Sequence, residues 1–488
     1  MTLRSRAIFA IFGITGMLVG SSQAGEAPVA LENPIPEKIQ QGDIVVRAVP
    51  FLQVPRTQDP HDRSIIQEGI SIPLHSSKAY ARLQYMLPIR DGSGRLAISD
   101  IRGLLYVTDS GGKRLSTYLD LRISTKNLSD VFPNETGLLG FAFHPDFANE
   151  GKAGYGKLYT AYSATSDGDP ATYLEAETLS HYSVIREWTT SDPGADTFTG
   201  TSREIFRVGQ FAQSHNIATL SFNPYVREGS PDYGLLFVSM GDGGSAYDPN
   251  DYGQSLQEPL GAILRIDPLP ADSSRKYGIP QDNPFIGRKN VAPEIWAYGL
   301  RHAQQFSFDT DGRMFINDIG QNHIEEVNIG EPGANYGWRT REGTFASGYG
   351  LGIGISGFVF NEPANNVSFV DPIAEYDHDE GNAIGSGFVY RGQDIPALQG
   401  KYVAADIVQG RLFYFDVDDI QPGRPAQLKE LRIHINGAEQ PLLRAVGYEN
   451  SYDRNTLRAD LRLGIDDAGE LYLLTKGDGW IRKLAAME

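Results

Sequence analysis

The chain has 488 residues, 40% of them hydrophobic and 21% charged, enough to bury one large core or two ordinary ones and too apolar to be disordered. Its 43 Lys and Arg against 61 Asp and Glu leave a formal charge of −18, the wrong sign for a protein that works on nucleic-acid phosphates or anionic lipid. There is no Cys, which excludes thiol catalysis, thiolate metal sites, iron–sulfur clusters and disulfide scaffolds.

Arg4 and Arg6 form a basic start, Ala7 to Gly20 an apolar run and Ser22-Gln23-Ala24 a small-x-small cleavage site. Residues 1–24 are therefore expected to be a signal peptide, and the protein periplasmic or secreted. An uncleaved anchor is the alternative, disfavoured by the shortness of the run. No later stretch is long and apolar enough to span a bilayer, so no membrane insertion is expected. Residues 25–75, with five prolines between Pro28 and Pro55, are expected to form an irregular N-terminal arm ahead of a folded body over 76–488.

One pattern recurs along that body: a Gly, a variable residue, then alternating apolar residues, often closing on Asp. It appears as GRLAISD from Gly94, GKLYTAYSA from Gly156, GLLFVSMGD from Gly234, GRMFIND from Gly312, GKYVAAD from Gly400 and GELYLLT from Gly469, at intervals of 62 to 88 residues. Alternation of this kind is what a strand with one buried face requires. Long helical periodicity is nearly absent, so the units are not the strand–helix pairs of a parallel sheet. Ordinary propeller repeats need about 40 to 50 residues for four short strands, so the surplus here goes into loops. The expectation is an all-β, six-bladed β-propeller with long inter-strand loops around the channel mouth, where a small ligand could be enclosed. A pair of β-sandwiches is the alternative.

Several signatures fail. Gly352-x-Gly354-x-x-Gly357 matches a dinucleotide fingerprint but leads into the strand-like Phe358-Val359-Phe360 rather than a helix. Asp248-x-Asn250 starts like a calcium loop, but Tyr252 and Pro259 occupy the fifth and twelfth places. No Gly-x-Ser-x-Gly elbow, His-Glu-x-x-His pair or phosphate loop occurs.

What remains are polar residues between strands: Glu135 before the Leu138-Leu139-Gly140 stretch, Ser214-His215-Asn216, Tyr298-Gly299-Leu300-Arg301-His302, and Asp318-Ile319-Gly320-Gln321-Asn322 with Glu325 and Glu326 beyond. Loops bring such groups to a channel mouth. A His there can take a proton from an alcohol near neutral pH, and an Arg can stabilise a developing anion. The bland alternatives are a core imidazole satisfied by backbone groups at 215 and a structural ion pair at 301.

GLLGFAFHPDF, LGAILRIDP from Leu260, YGLRHAQQFSFD, DIGQNHIEEVN with GANYGW, FVYRG from Phe388 and GELYLL, running in order from about residue 90 to the end, resemble the glucose/sorbosone dehydrogenase family of soluble quinoprotein aldose sugar dehydrogenases. That resemblance implies a six-bladed propeller binding pyrroloquinoline quinone (PQQ) with calcium (Ca²⁺) at the channel mouth and oxidising the C1 hydroxyl of an aldose sugar, with an external electron acceptor. It implies His215 as catalytic base and Arg301 as the group polarising the quinone. Glu135, Arg301, His302 and Arg462 match cofactor-facing positions. Gly320 and Gln321 match the pair whose carbonyls hold the cofactor's calcium, and Glu325 and Tyr336 fall where a second, structural calcium is often held.

The departures are specific. Ile217 and Ala218 stand where the family usually has two glycines, and His302-Ala303-Gln304-Gln305 where it has Asn-Pro-Gln-Gly. Asp460 falls where a second cofactor arginine is expected, and Val408-Gln409-Gly410-Arg411 lacks the family's Lys. A non-catalytic carbohydrate- or protein-binding propeller that has lost PQQ therefore stands beside the enzyme as the second reading.

Overall fold

The computed structural model describes residues 28–57, 64–67, 70–73, 81–130, 135–176, 178–270, 272, 275–361, 368–446 and 458–487. The expected signal peptide, 1–24, lies outside them.

Every one of the six repeats becomes the second strand of a four-stranded antiparallel blade: Leu96–Asp100, Lys157–Ala164, Leu236–Met240, Met314–Asp318, Lys401–Asp406 and Leu471–Thr475. The glycine heading each has a positive φ, between 69° and 88°. Only glycine adopts that conformation at little cost, so the first letter of the repeat is a turn requirement. The first strands of the blades, Leu83–Pro88, Leu138–Phe143, Ile217–Phe222, Ala303–Phe308, Ile384–Val389 and Leu461–Ile465, touch one another in cyclic order, the last against the first. The ring is therefore closed.

Alternation along the repeats does not produce one wet face. Leu96–Asp100, Leu236–Met240 and Met314–Asp318 are buried at all five positions, because each blade is covered on both faces by its neighbours. The cores lie between blades: Tyr159, Ile185 and Phe206 of blade 2 pack with Leu220, Val238 and Leu264 of blade 3. Burying a Leu, Ile or Phe in this way contributes about 1.5–3 kcal/mol.

The N-terminal stretch departs from the expected irregular arm. Gln40–Gln53 is a 14-residue strand that pairs antiparallel with Trp480–Ala486 as the outer strand of blade 6 and parallel with Lys429–Ile435, the outer strand of blade 5. Prolines argued against a strand here, but Pro50 sits where the register shifts between Pro50 and Leu52, a bulge that tolerates a missing donor. Val46, at 0% exposure, is the residue this strand buries most completely.

Across the axis, the Tyr85 hydroxyl donates to the Gln304 carbonyl at 2.6 Å and accepts from Thr219 Oγ1 at 3.1 Å, linking the first strands of blades 1, 4 and 3. On one side of this crossing lies a cavity of about 440 Å³ formed at the N-terminal ends of first strands and the C-terminal ends of second strands. On the other lies a cavity of about 390 Å³ lined largely by aromatic and apolar residues, among them Phe143, Phe222 and Phe308.

Candidate active site at the channel mouth

Glu135, Asn216, His302, Asp460 and Arg462 all lie on the wall of the 440 Å³ cavity, together with Ile217 and Ala218. His215 and Arg301, each 8% exposed, are not among the residues lining it; they adjoin in sequence the lining residues Ser214, Asn216 and His302. Residues from blades 1, 2, 3, 4 and 6 thus meet at one mouth.

His215 has a φ of 51°, unusual for a residue with a side chain. Its Nδ1 lies 2.7 Å from Asp242 Oδ1. Asp242 also accepts from Gly244 N–H at 2.9 Å and from the Trp338 indole N–H at 2.8 Å. Burial pushes the Asp242 carboxyl upward, but His215 and Arg301 outweigh it and hold the group below its ordinary value. An ionised carboxylate only accepts, so the contact places a proton on His215 Nδ1, and in a neutral ring the lone pair is then on Nε2. Among the described residues no hydrogen bond reaches that Nε2.

The imidazole of His302 stacks on His215, with centroids 5.2 Å apart and planes 20° from parallel. Burial lowers the His302 pKa to about 4, so the ring is neutral at pH 7 and does not repel a proton on its neighbour. His302 Nδ1 is buried without a partner among the described residues, and Nε2 is 3.7 Å from Glu135 Oε2. Glu135, with a half-exposed side chain, accepts the His215 backbone N–H at 3.1 Å. Asn216 ties the same corner together, donating to the Glu135 carbonyl at 2.7 Å while its Oδ1 meets His181 Nε2 at 2.7 Å.

Arg301 finds the acceptors that a buried guanidinium needs. Nη1 donates to the Ile319 carbonyl at 3.0 Å, Nε to Gln321 Oε1 at 3.3 Å, and Cζ stands 5.6 Å over the Trp338 ring. Asp318 clamps the turn by accepting the backbone N–H groups of Arg301 at 2.9 Å and His302 at 2.7 Å. Arg301 and His215 lie on the same side of the mouth, joined through Asp242, whose N–H donates to the Arg301 carbonyl at 2.8 Å.

The turn that carries Gly320 and Gln321 wraps round a single carboxylate oxygen: Glu342 Oε1 accepts from the N–H groups of Gln321, Asn322, His323 and Ile324. Among the described residues no hydrogen bond ends on the carbonyls of Gly320 or Gln321, the kind of oxygen a hard cation such as calcium takes, although neither residue lines the cavity. Glu325 and Tyr336 are not brought together. Glu325 is engaged by His378 Nε2 at 2.8 Å and by the Ile384 N–H at 2.8 Å. The Tyr336 hydroxyl donates to the Ile329 carbonyl at 2.6 Å, and its own carbonyl accepts from Arg341 at 3.2 Å. Their polar atoms thus meet different partners, and no hydrogen bond joins the two side chains among the described residues.

The residues present fit a flat, tricarboxylate cofactor by volume and charge. Ile217 and Ala218, in place of glycines, still leave the 440 Å³ space, within the range of about 300–1,000 Å³ usual for ligand sites. Arg82, Arg458, Arg462 and Lys476 line the wall with Asp460 and Glu135, and Arg462 Nε is buried without a partner among the described residues.

Sequence reasoning missed Asp242, Trp338 and Lys476. The trace for Asp242 is the third repeat itself, GLLFVSMGD, whose Asp comes eight residues after the leading Gly, whereas Asp100, Asp318 and Asp406 come six after theirs. Those three accept backbone N–H groups from the segment entering the same blade's first strand: Arg82 to Asp100, Arg301 and His302 to Asp318, Asn382 and Ala383 to Asp406. The displaced Asp of blade 3 holds a side chain instead.

A closed six-bladed ring with an oriented imidazole, a buried guanidinium and a cation-lined cavity at one mouth defines a propeller built around a small-molecule site. The family model described as Glucose / Sorbosone dehydrogenase matches residues 86–436, and the chain belongs to that family. Among curated proteins it is 31% identical over 368 residues to the HIPL1 protein of Arabidopsis thaliana, covering 66% of this chain and 50% of that protein, and 24% identical over 387 residues to the Hedgehog-interacting protein of Homo sapiens, covering 79% and 47%. The chain thus spans about half the length of these relatives. Its fold is similar to that of the PQQ-bound aldose sugar dehydrogenase of Streptomyces coelicolor, with a TM-score of 0.54, 21% identity, and coverage of 84% of this chain and 96% of that one.

Proposed function

We propose that this protein is an exported quinoprotein dehydrogenase that oxidises the C1 hydroxyl of an aldose sugar or related polyol, with PQQ and Ca²⁺ held at the channel mouth and an external acceptor taking the electrons. The observation that carries the reading is the 2.7 Å contact of His215 Nδ1 with buried Asp242, which leaves Nε2 without a hydrogen-bond partner among the described residues.

PQQ, when bound, supplies the two-electron acceptor, which no side chain here can provide. Its carboxylates would be held by Arg462 and the neighbouring cations, and its calcium by the Gly320 and Gln321 carbonyls. His215 Nε2 takes the proton of the substrate hydroxyl, and Asp242 stabilises the imidazolium that forms. Trp338 fixes the Asp242 carboxylate, and the Arg301 guanidinium, braced by Ile319 and Gln321, places fixed positive charge where negative charge grows. Neutral His302, stacked on His215, keeps water off one face of the ring.

The test is to incubate the full chain with PQQ and Ca²⁺, desalt, and measure retained quinone absorbance and aldose-dependent dye reduction. Retained quinone with sugar-dependent turnover is the expected result. Failure to retain PQQ favours the second reading, a binding propeller, to which the similarity with the Hedgehog-interacting protein lends weight.

A further inference from the structure

The channel has a second mouth, and no part of the proposed function uses it. All six first strands end there: Pro88, Phe143, Phe222, Phe308, Phe388 and Ile465, each at or one residue from its strand's C-terminal end, line the cavity of about 390 Å³. That volume lies within the range of about 300–1,000 Å³ usual for ligand sites. Four of the six are phenylalanine, and among the described residues no ring contact joins these four to one another. Three of them pack edge to face on neighbours instead: Phe222 on His144 with centroids 5.1 Å apart, Phe143 on Phe147 at 4.8 Å and Phe308 on Phe306 at 5.9 Å. The Tyr85 hydroxyl bridge to Thr219 and the Gln304 carbonyl divides this cavity from the polar one, since Thr219 lines the first and Gln304 the second.

Three side-chain donors in this apolar wall have nothing to donate to. His144, 5% exposed, accepts the Asp146 N–H on Nδ1 at 3.0 Å. Burial lowers its pKa to about 4, so at pH 7 the ring is neutral and its single proton sits on Nε2. Asn223, 3% exposed, spends Oδ1 on the Tyr225 N–H at 3.1 Å, and Gln305, 2% exposed, spends Oε1 on the Gly387 N–H at 3.2 Å, which fixes both amides. Among the described residues no acceptor takes His144 Nε2–H, Asn223 Nδ2–H or Gln305 Nε2–H, and none of these nitrogens is sealed in. Each of the three residues lines this cavity and exposes no more than 5% of its surface, so the donors open into it. Donors set in an apolar wall favour a ligand that brings an acceptor.

Charge narrows the class further. Among the described lining residues the one that is charged at pH 7 is Arg90, whose guanidinium stands 3.9 Å from Asp467 Oδ1 and 5.5 Å from the Tyr225 ring centroid. That cation already has its counter-charge, and the wall asks for none.

We propose that this second mouth binds a neutral, flat aromatic molecule carrying an acceptor oxygen, of the aryl ketone class. The ring lies among the phenylalanines, and the oxygen accepts from the donors that His144, Asn223 and Gln305 leave unspent. The proposal stands whether or not PQQ is held at the other mouth.

Equilibrium binding to the full chain is measured for 2-acetylnaphthalene, for 2-ethylnaphthalene, which has nearly the same shape without the oxygen, and for the anion 2-naphthoate. The ketone is expected to bind one per chain, about tenfold more tightly than the hydrocarbon and no less tightly than the anion. His144→Phe keeps a ring against Phe222, and Asn223→Asp keeps the oxygen that accepts from Tyr225 while removing the amide donor. In each, the ketone's advantage over the hydrocarbon is expected to shrink to about threefold or less while hydrocarbon affinity holds within about twofold, a pattern that misfolding does not produce. The comparison of the three ligands on the unaltered chain needs no variant to fold. Absence of ketone binding, equal affinities for ketone and hydrocarbon, tighter binding of 2-naphthoate, or an advantage undiminished in both variants would overturn the proposal.

Discussion

His215 and Asp242 face each other because of strand register. Ile217 pairs with Met240 in the first hairpin of blade 3, and stepping two residues outward along both strands arrives at 215 and 242. Backbone bonds continue the ladder: Gly241 N–H donates to the Asn216 carbonyl at 3.0 Å and Gly243 N–H to the His215 carbonyl at 3.3 Å. Gly241 has to be glycine, since a Cβ there would lie 2.3 Å from the His215 carbonyl oxygen. The dyad is thus an extension of the sheet, held as rigidly as the strands beneath it.

Replacing His215 by Gln removes the base and leaves the cation-lined wall untouched. Turnover with PQQ bound is expected to fall by about two to four orders of magnitude, while retained quinone absorbance stays unchanged. Undiminished dye reduction in this variant would show that another group takes the proton.

Replacing Asp242 by Asn keeps the size of the side chain but offers an amide where a carboxylate accepted. The imidazole is then free to carry its proton on Nε2, and kcat is expected to drop by up to about 10⁴. The imidazole nitrogen chemical shifts should report the exchanged tautomer, a change that simple loosening of the blade does not produce.

Acid stability has a defined direction. His144, His181 and His302 are buried, and burial lowers each pKa from 6.5 to about 4. Between those values the unfolded chain binds protons that the folded chain refuses. Their contribution to stability is complete above pH 6.5 and is lost as pH falls toward 4. Titration of the three imidazoles followed by nuclear magnetic resonance should find them still neutral at pH 5, and half-protonation at the ordinary 6.5 would contradict their burial.

The strand Gln40–Gln53 should be needed to close the ring. Val46→Asp places an unpaired charge at a position of 0% exposure and is expected to destabilise by about 3 kcal/mol or more. A substitution at Gln53, an exposed strand end, serves as the control, and equal midpoints for the two variants would mean that the strand is dispensable.

Much of this was legible in the sequence because the informative residues answer to local rules. The six leading glycines mark positive φ, and the alternating residues after them mark strands. His215, Arg301, Glu135 and His302 stand out as polar groups beside apolar or glycine-rich segments, whereas Arg462 comes from the family resemblance; Glu135, His302 and Arg462 line one cavity. Asp242 was hidden because three other repeats end on an Asp with a purely structural role, and only a shift of two positions sets it apart. Lys476 was hidden because a lysine at the end of an apolar strand reads as a solvated one until the opposing blades are in place. The strand at 40–53 was masked by Pro50 and the prolines around it, since a bulge that excuses a proline cannot be seen without the partner strand. The roles of Glu325 and Tyr336 came from the family resemblance alone, and the structure gives their polar atoms different hydrogen-bond partners.

The circle's seam joins segments far apart in the sequence, with Arg47 Nε bonded to the carbonyl of Ala486 across 439 residues. Contacts this remote in sequence form late. Five blades can assemble as they emerge from whatever machinery delivers them, but the sixth has to wait for the final hairpin. Until then the mouth is an open arc, and no ligand can be gripped from all sides.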